Sequence, residues 1–431
     1  MLSPDTITEH IPIIASIGAL SAILFLALLM RPRWALGAIF LSVAAGQLIR
    51  IPLMGQGGGI LVSDIALAMC IISTVTSVLF GRISTYSALR AFKMYCAFLL
   101  PFFVFSLAIL LFHERSLGLQ SFGIAFLYWA RLFEISLLFP ILLVFGYMNN
   151  GKKLLQRSFS ATYYLLLGLG YAQLALFPSL VGNVNGWDPH IHRMVATWFD
   201  PNFFGAFIVI GMFPVVCWSR VKFPAFLFAC GALLLTSSRS SWIAFAVACI
   251  VIVSIALLTS SLHKSWKNAL QIFFILFVLC AVLVTTVFSS RVTKLFTHDP
   301  TAMLRTQAYT QVWHRLVEPN IFFGVGYNAY QFSAKKVGLI EDFSIHSRAG
   351  SDNSIITLLV TTGIIGTFLF LLPIFIGVYW HTAQWILHRR KDSLLFIWSA
   401  SALVVHSQFE NSLLYPHLLI QFLIISALSI L

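Results

Sequence analysis

Three segments of this chain place polar side chains where an apolar protein has little structural use for them. The first runs from Arg193 to Asp200-Pro201-Asn202 and ends at Gly205. Asp-Pro-Asn makes a turn, and Asp200 or Asn202 can cap the helix that follows. The second is Thr236-Ser237-Ser238-Arg239-Ser240-Ser241, a very short connection between two apolar runs. An arginine at a membrane boundary, flanked by hydroxyls and followed by a helix N-terminus, suits an anion. The third holds Arg305 and Arg315, then Pro319-Asn320 and Gly324-Val325-Gly326, and closes on His346, Arg348, Asp352 and Asn353. Gly324-Val325-Gly326 follows no strand of a βαβ unit, so it does not read as a dinucleotide loop. Guanidinium groups match a pyrophosphate because each donates two parallel hydrogen bonds. A carboxylate beside them can take a proton from a hydroxyl or orient it. Arg193, Arg239 and Arg305 with Asp352 therefore point to group transfer from a lipid pyrophosphate.

The elements that must hold these residues are membrane helices. Of 431 residues, 59% are hydrophobic and only 10% are charged, against about 25% charged in soluble domains. That excludes a soluble enzyme, a disordered scaffold and a disulfide-stapled secreted domain. Hydropathy predicts about twelve to thirteen spans in an all-α, polytopic protein, since lipid cannot satisfy open backbone groups. The first apolar run, near 11–30, follows the acidic Asp5 and Glu9 and reads as a retained span rather than a signal peptide. The expected organisation is residues 1–288 as transmembrane helices, 289–354 as one large external loop with short amphipathic helices, and 355–431 as the C-terminal spans. The stretch Thr301 to Leu316 has helical character and stops before Glu318-Pro319-Asn320.

Basic residues predict the orientation. Loops after odd-numbered spans carry 15 of the 27 Lys and Arg, and short loops after even-numbered spans carry four, Arg50, Arg115, Arg193 and Arg239. The positive-inside bias puts the first set in the cytoplasm and the long loop outside. The net charge of +13 is then largely a topology signal, and nucleic acid is not an expected partner.

Other residues are read more cautiously by their chemistry. Arg131 and Glu134 lie within a span at i,i+3, as an intramembrane functional pair or a neutralised structural one. Glu410-Asn411, between the last two spans, reads first as an interface anchor. His190 and His192 lack a third ligand, and no metal or cofactor is expected. The six cysteines lie in apolar runs without a CxxC pair and read as packing residues.

Taken in order, Arg193 with Asp200-Pro201-Asn202, Leu234-Leu235-Thr236-Ser237-Ser238-Arg239, Arg305 leading to Pro319-Asn320 and Gly324-Val325-Gly326, and Asp352-Asn353-Ser354 leading to Gly363-Ile364-Ile365-Gly366 resemble the O-antigen ligase and O-antigen polymerase superfamily of bacterial inner-membrane proteins. The resemblance covers roughly 190–380. It implies a GT-C-like helical fold and a metal-independent, inverting glycosyl transfer on the periplasmic side of the inner membrane. The donor would be a glycan on undecaprenyl pyrophosphate, held by Arg193, Arg239 and Arg305. From the residues themselves, Asp200, Asn202, Asn353, Arg315, Arg348, Arg131 and Glu134 are the supporting candidates. Ligases of this kind carry His-Asn where this chain has Asp352-Asn353, so Asp352 takes the place of the base, with His346 as the nearby alternative. That departure favours a polymerase of lipid-linked repeat units in O-antigen or exopolysaccharide synthesis. A ligase acting on lipid A core or protein is the alternative, and a lipid-linked sugar transporter or flippase the second. Membrane lipids, the acceptor glycan and a chain-length regulator are the remaining expected partners.

Overall fold

The computed structural model describes residues 31–53, 58–180, 190–258, 300–340 and 350–431. The first apolar run and the span near 268–288 lie outside these residues. Among the described residues the chain is a helical bundle with one small antiparallel hairpin, β1 (Arg50–Leu53) and β2 (Gly58–Leu61), in which Arg50 faces Leu61. The helices before it and after it are α1 (Pro32–Ala45), α2 (Val62–Leu79), α3 (Thr85–Phe98), α4 (Leu100–Phe112), α5 (Leu119–Tyr147) and α6 (Gly151–Leu176). Next come α7 (Pro201–Trp218), α8 (Lys222–Thr236) and α9 (Arg239–Leu258), then α10 (Pro300–Val312) and α11 (Tyr330–Lys336) of the long loop. The chain ends with α12 (Ser354–His388), α13 (Lys391–His406) and α14 (Pro416–Ile430).

Five of these helices are long and apolar enough to cross a membrane by themselves, namely α2, α5, α7, α9 and α12. The expected span 92–112 is instead two helices, α3 and α4, meeting at a 52° bend, and together they make a sixth candidate. Pro101 is the second residue of α4, where a missing N–H costs no helical bond, so the chain can turn there. The α1, α8 and α14 helices are apolar but shorter. Large side chains such as Leu79, Phe80, Phe112, Tyr379 and Leu387 are more than two-thirds exposed, an apolar surface that suits lipid rather than water. The chain is thus an all-α, polytopic membrane protein.

Of the five long helices the most enclosed is α7, whose apolar window is 78% buried. It packs against α8, α9, α13 and α14, and α13 packs in turn on α9, α12 and α14. Buried polar groups tie this centre together: Trp398 Nε1 donates to the Val209 carbonyl at 2.7 Å, Ser399 Oγ to Ile210 at 2.9 Å and Gln421 Nε2 to Phe207 at 2.9 Å. In an apolar interior each such pairing offsets the cost of a buried polar group.

The α12 helix is broken at Gly363 (φ 64°, ψ −172°). The break releases backbone groups that the long loop takes up: Val325 N donates to Val360 O at 2.8 Å, Gly326 N to Thr361 O at 3.0 Å, and Ile364 N to Ile321 O at 2.8 Å. A Cβ on Gly363 would lie 2.3 Å from the Phe322 backbone, and one on Gly324 would lie 2.5 Å from the backbone at Thr361 and Thr362. The glycines of the two sequence motifs are therefore the two faces of one close backbone contact. Around it Val312, Leu316, Val317, Val325, Ala329, Tyr330, Ala334 and Val360 form a second, smaller core that fastens α10 and α11 onto α12.

The two ends of the bundle differ. At one end lie the starts of α7, α9, α12 and α14 and the long loop. At the other, Lys152 at the start of α6 pairs with Asp392 at the start of α13 at 2.6 Å, and Arg390 donates to the Ile430 carbonyl at 2.7 Å.

Candidate functional site

The segment carrying Arg193 is irregular, with left-handed backbone at His192, Ala196 and Phe199, yet it is firmly anchored. Met194, Val195 and Trp198 are buried. Thr197 Oγ1 donates to the Ala44 carbonyl at 2.7 Å and Trp198 Nε1 to Val43 at 3.2 Å, both at the end of α1. Met194 N donates to Leu235 O at 2.9 Å. This pins Arg193 against the C-terminus of α8, where Nε donates to Thr236 O at 2.9 Å and Nη2 to Ser237 O at 3.4 Å. The last carbonyls of a helix lack intrahelical donors and carry partial negative charge, so they hold a cation well.

From Arg193 a line of polar side chains crosses the end of the bundle. Arg193 Nη2 also donates to Asn202 Oδ1 at 3.1 Å, and Asn202 Nδ2 donates to Glu410 Oε1 at 2.9 Å. The same Glu410 oxygen accepts from Arg305 Nη2 at 3.4 Å, and Arg305 Nε pairs with Asp352 Oδ2 at 3.0 Å. Five side chains are thereby joined, from the Arg193–Asn202 segment, the long loop and the turn that carries Glu410. Two of the five are arginines and two are carboxyl groups, and Arg239 is the first residue of α9. Burial grades along the line: the Glu410 side chain is 11% exposed, Arg305 35% and Asp352 40%. Glu410 is thus the sheltered centre, and Arg305 and Asp352 form the accessible rim.

The backbone fixes the relative position of the two carboxylates. Ser354 N donates to Ser407 O at 2.9 Å, Ser354 Oγ to Glu410 O at 3.1 Å, and Asn353 Nδ2 to Gln408 O at 3.0 Å. Asn353 also caps α12, its Oδ1 accepting from Ile355 N at 2.8 Å and Ile356 N at 3.1 Å. Asp200 caps α7 in the same way, accepting from Asn202 N at 2.7 Å and Phe203 N at 3.1 Å. Asn353 and Asp200 are thus helix caps, one directly after Asp352 and the other two residues before Asn202.

Burial pushes the Glu410 carboxyl up to about 8; Asp200 adds to the rise, Arg305 opposes it and Asp352 adds again. Burial also raises Asp200, against the pull of the Phe203 N–H, His190, the Asn202 N–H and Arg193. Near neutral pH Glu410 is largely protonated.

The serines around Arg239 do not all face outward. Ser238, Ser240 and Ser241 are buried. Ser238 Oγ lies 3.1 Å from Ser240 Oγ and 2.8 Å from Ser241 Oγ. Both Ser240 and Ser241 reach His406 Nε2 at 3.1 Å, and His406 Nδ1 reaches Ser412 Oγ at 2.6 Å. This knot braces the α8–α9 turn against the loop that carries Glu410. Its hydroxyls serve the scaffold rather than the anion site expected of them. Arg239 itself is exposed at the turn.

Other expected residues separate from the centre. Arg131 does not turn to Glu134; it pairs with Asp64 at 2.7 Å and donates to the Gly59 carbonyl. A long side chain reaches across to α2 more readily than it folds back along its own helix. Arg315 is exposed and donates to the Val337 carbonyl at 3.1 Å, so it ties the long loop to itself. His346 and Arg348 lie outside the described residues. Among the described residues no three His, Cys, Asp or Glu side chains gather at metal-ligand spacing.

Glu410 and His406 are the residues that sequence reasoning undervalued. The available signal was scarcity: the chain has only 14 Asp and Glu, and one of them sits in a short turn between two apolar runs.

The model of the O-antigen ligase family matches residues 224–371. No curated protein matches the chain. The matched segment contains Arg239, Arg305, Asp352 and Gly363, and the fold adds Arg193, Asn202 and Glu410 from outside it.

Proposed function

The match supports membership of the O-antigen ligase/polymerase superfamily, and from that premise we propose that the chain polymerises glycan repeat units carried on undecaprenyl pyrophosphate, at the periplasmic face of the bacterial inner membrane. The coarser statement, an integral-membrane enzyme of the ligase/polymerase kind acting on lipid-linked glycans, follows from the family and the helices. The observation that supports a transfer site is the line Arg193–Asn202–Glu410–Arg305–Asp352 at one end of the bundle. A transporter would instead string its charges through the midplane.

In this reading Arg193, Arg239 and Arg305 hold the pyrophosphate of the donor. The acceptor hydroxyl oxygen attacks the anomeric carbon as the bond from that carbon to the pyrophosphate oxygen breaks. The electron pair leaves with undecaprenyl pyrophosphate, whose new charge develops among the arginines. Asp352 accepts the hydroxyl proton. A single displacement inverts the anomeric centre, and no step needs a metal. Glu410 touches neither substrate; protonated near neutral pH, it positions Asn202 and Arg305 without competing for the anion.

The test is elongation by the purified full-length protein in lipid, supplied with a synthetic undecaprenyl-pyrophosphate repeat unit. Wild type is expected to build a ladder, and Arg305→Ala to slow it by about 100-fold or more, the usual loss for a transition-state charge contact. Equal ladders overturn the pyrophosphate assignment. Transfer to lipid A core without a ladder overturns the polymerase reading in favour of a ligase.

A further inference from the structure

Beside the charged centre lies a second cavity of about 210 Å³, bounded by the α1–β1 connection, α5, the loop before α11, the first half of α12 and the turn after Glu410. Its lining includes Gln47, Arg50, Tyr128, Arg131, Tyr327 and Asn411. Three features define its chemistry. First, Gln47 Oε1 and Asn411 Oδ1 are buried acceptors without a hydrogen-bond partner among the described residues. A buried amide oxygen left unmatched costs free energy, so two at one cavity point to hydroxyl donors from a ligand. Second, the Arg131 charge is already matched by Asp64 at 2.7 Å, and its guanidinium packs on the Tyr128 ring at 5.0 Å. Arg131 therefore brings no unmatched charge to the cavity. Third, tyrosine rings supply flat faces with polar edges. Neutral hydroxyls with apolar C–H faces are the signature of a sugar ring.

The cavity also adjoins the reacting end. Asn411 follows Glu410 directly. Thr357 on the cavity wall accepts from Ser351 N at 3.1 Å and donates to Asn353 O at 3.0 Å, bracketing Asp352. We propose that this cavity is a glycan subsite, binding an uncharged sugar ring next to the bond being made or broken. The proposal deepens the transferase reading and rests on it for the word "next", while sugar binding itself does not. The larger apolar cavity of about 290 Å³, lined by Phe102, Phe103 and Phe370, has the opposite character and offers a sugar nothing.

Binding is read by saturation-transfer NMR on the full-length protein in nanodiscs, with hexoses, 6-deoxyhexoses and N-acetylhexosamines as probes. At least one class is expected to give a signal. Gln47→Leu, which keeps volume and removes the acceptor, should weaken that binding by about 5- to 30-fold, the worth of a lost hydrogen bond to a buried group. Tyr128→Ala, which removes the ring platform, serves as the second variant, and both are checked for an unchanged thermal transition. No signal from any class, or a signal that survives both variants, overturns the subsite. Arg305→Ala separates the two readings: it should abolish elongation and leave the sugar signal intact. If Arg305→Ala elongates normally while Gln47→Leu loses the signal, the transfer assignment fails and the subsite stands. Where elongation is measurable, a raised KM for donor or for acceptor in Gln47→Leu identifies which glycan occupies the cavity.

Discussion

Glu410 holds the centre of the site because it is the one carboxylate there that is both buried and bonded on two sides. Its protonation has a consequence for stability. In the folded protein its pKa is raised from the usual 4.5 to about 8, so between those values the folded state keeps a proton that the unfolded chain has lost. Stability must then fall as pH rises through that window. The expected result is a transition temperature that drops from pH 5 to pH 9 in wild type and drops less in Glu410→Gln, which keeps the shape and cannot ionise. Thermal unfolding in detergent across that range checks it, and parallel curves would show that Glu410 stays ionised. The same substitution should preserve more transfer than Glu410→Ala, because glutamine still offers an oxygen to the Asn202 amide.

At the scale of elements, the break in α12 decides how the long loop docks. A continuous helix from Ser354 to His388 would carry no vacant carbonyls at Val360 and Thr361, and the Val325 and Gly326 amides would lose their acceptors. Gly363 makes the break possible because its backbone lies where L side chains are strained and its hydrogen faces the Phe322 backbone. Gly363→Ala is expected to destabilise the protein by about 2 kcal/mol or more. It should also lower transfer while leaving Arg193 and Asn202 in place. A lowered transition temperature together with protease cleavage in the long loop would be the observation; an unchanged protein would mean that the contact with Ile321–Gly326 has slack. The Asn353 and Asp200 caps act at the same scale, each starting a helix.

At the scale of the molecule, the two ends of the bundle differ in kind. One end carries the line of charges and the cavity lined by Gln47 and Asn411. The other carries Lys152, Asp392 and Arg390. The distribution of Lys and Arg along the sequence predicts the first end outside. In a cysteine-free background, Arg315→Cys on the exposed long loop should react with an impermeant maleimide in intact spheroplasts. Lys153→Cys should react only after permeabilisation. The reverse pattern would invert the protein and remove the periplasmic assignment.

The class and most of the helices were legible in the sequence, as were the charges from which the site is proposed. Hydrophobic runs long enough for a bilayer leave no alternative to helices, which is why α7, α8, α9, α13 and α14 fall close to where hydropathy puts them. Arg193, Arg239, Arg305 and Asp352 were legible because charge in an apolar chain is expensive and rarely idle. Only the tertiary structure decided what those charges touch. Arg131 and Glu134, three residues apart, looked like a pair, yet Asp64, 67 residues away along the chain, is the partner. Asn202 and Glu410 are separated by 208 residues and meet through one hydrogen bond. Glu410 looked like an interface anchor because its burial is made by α7, α10 and the start of α12 folding over it. Such burial depends on helices packed from distant parts of the chain, and local spacing carries no record of it.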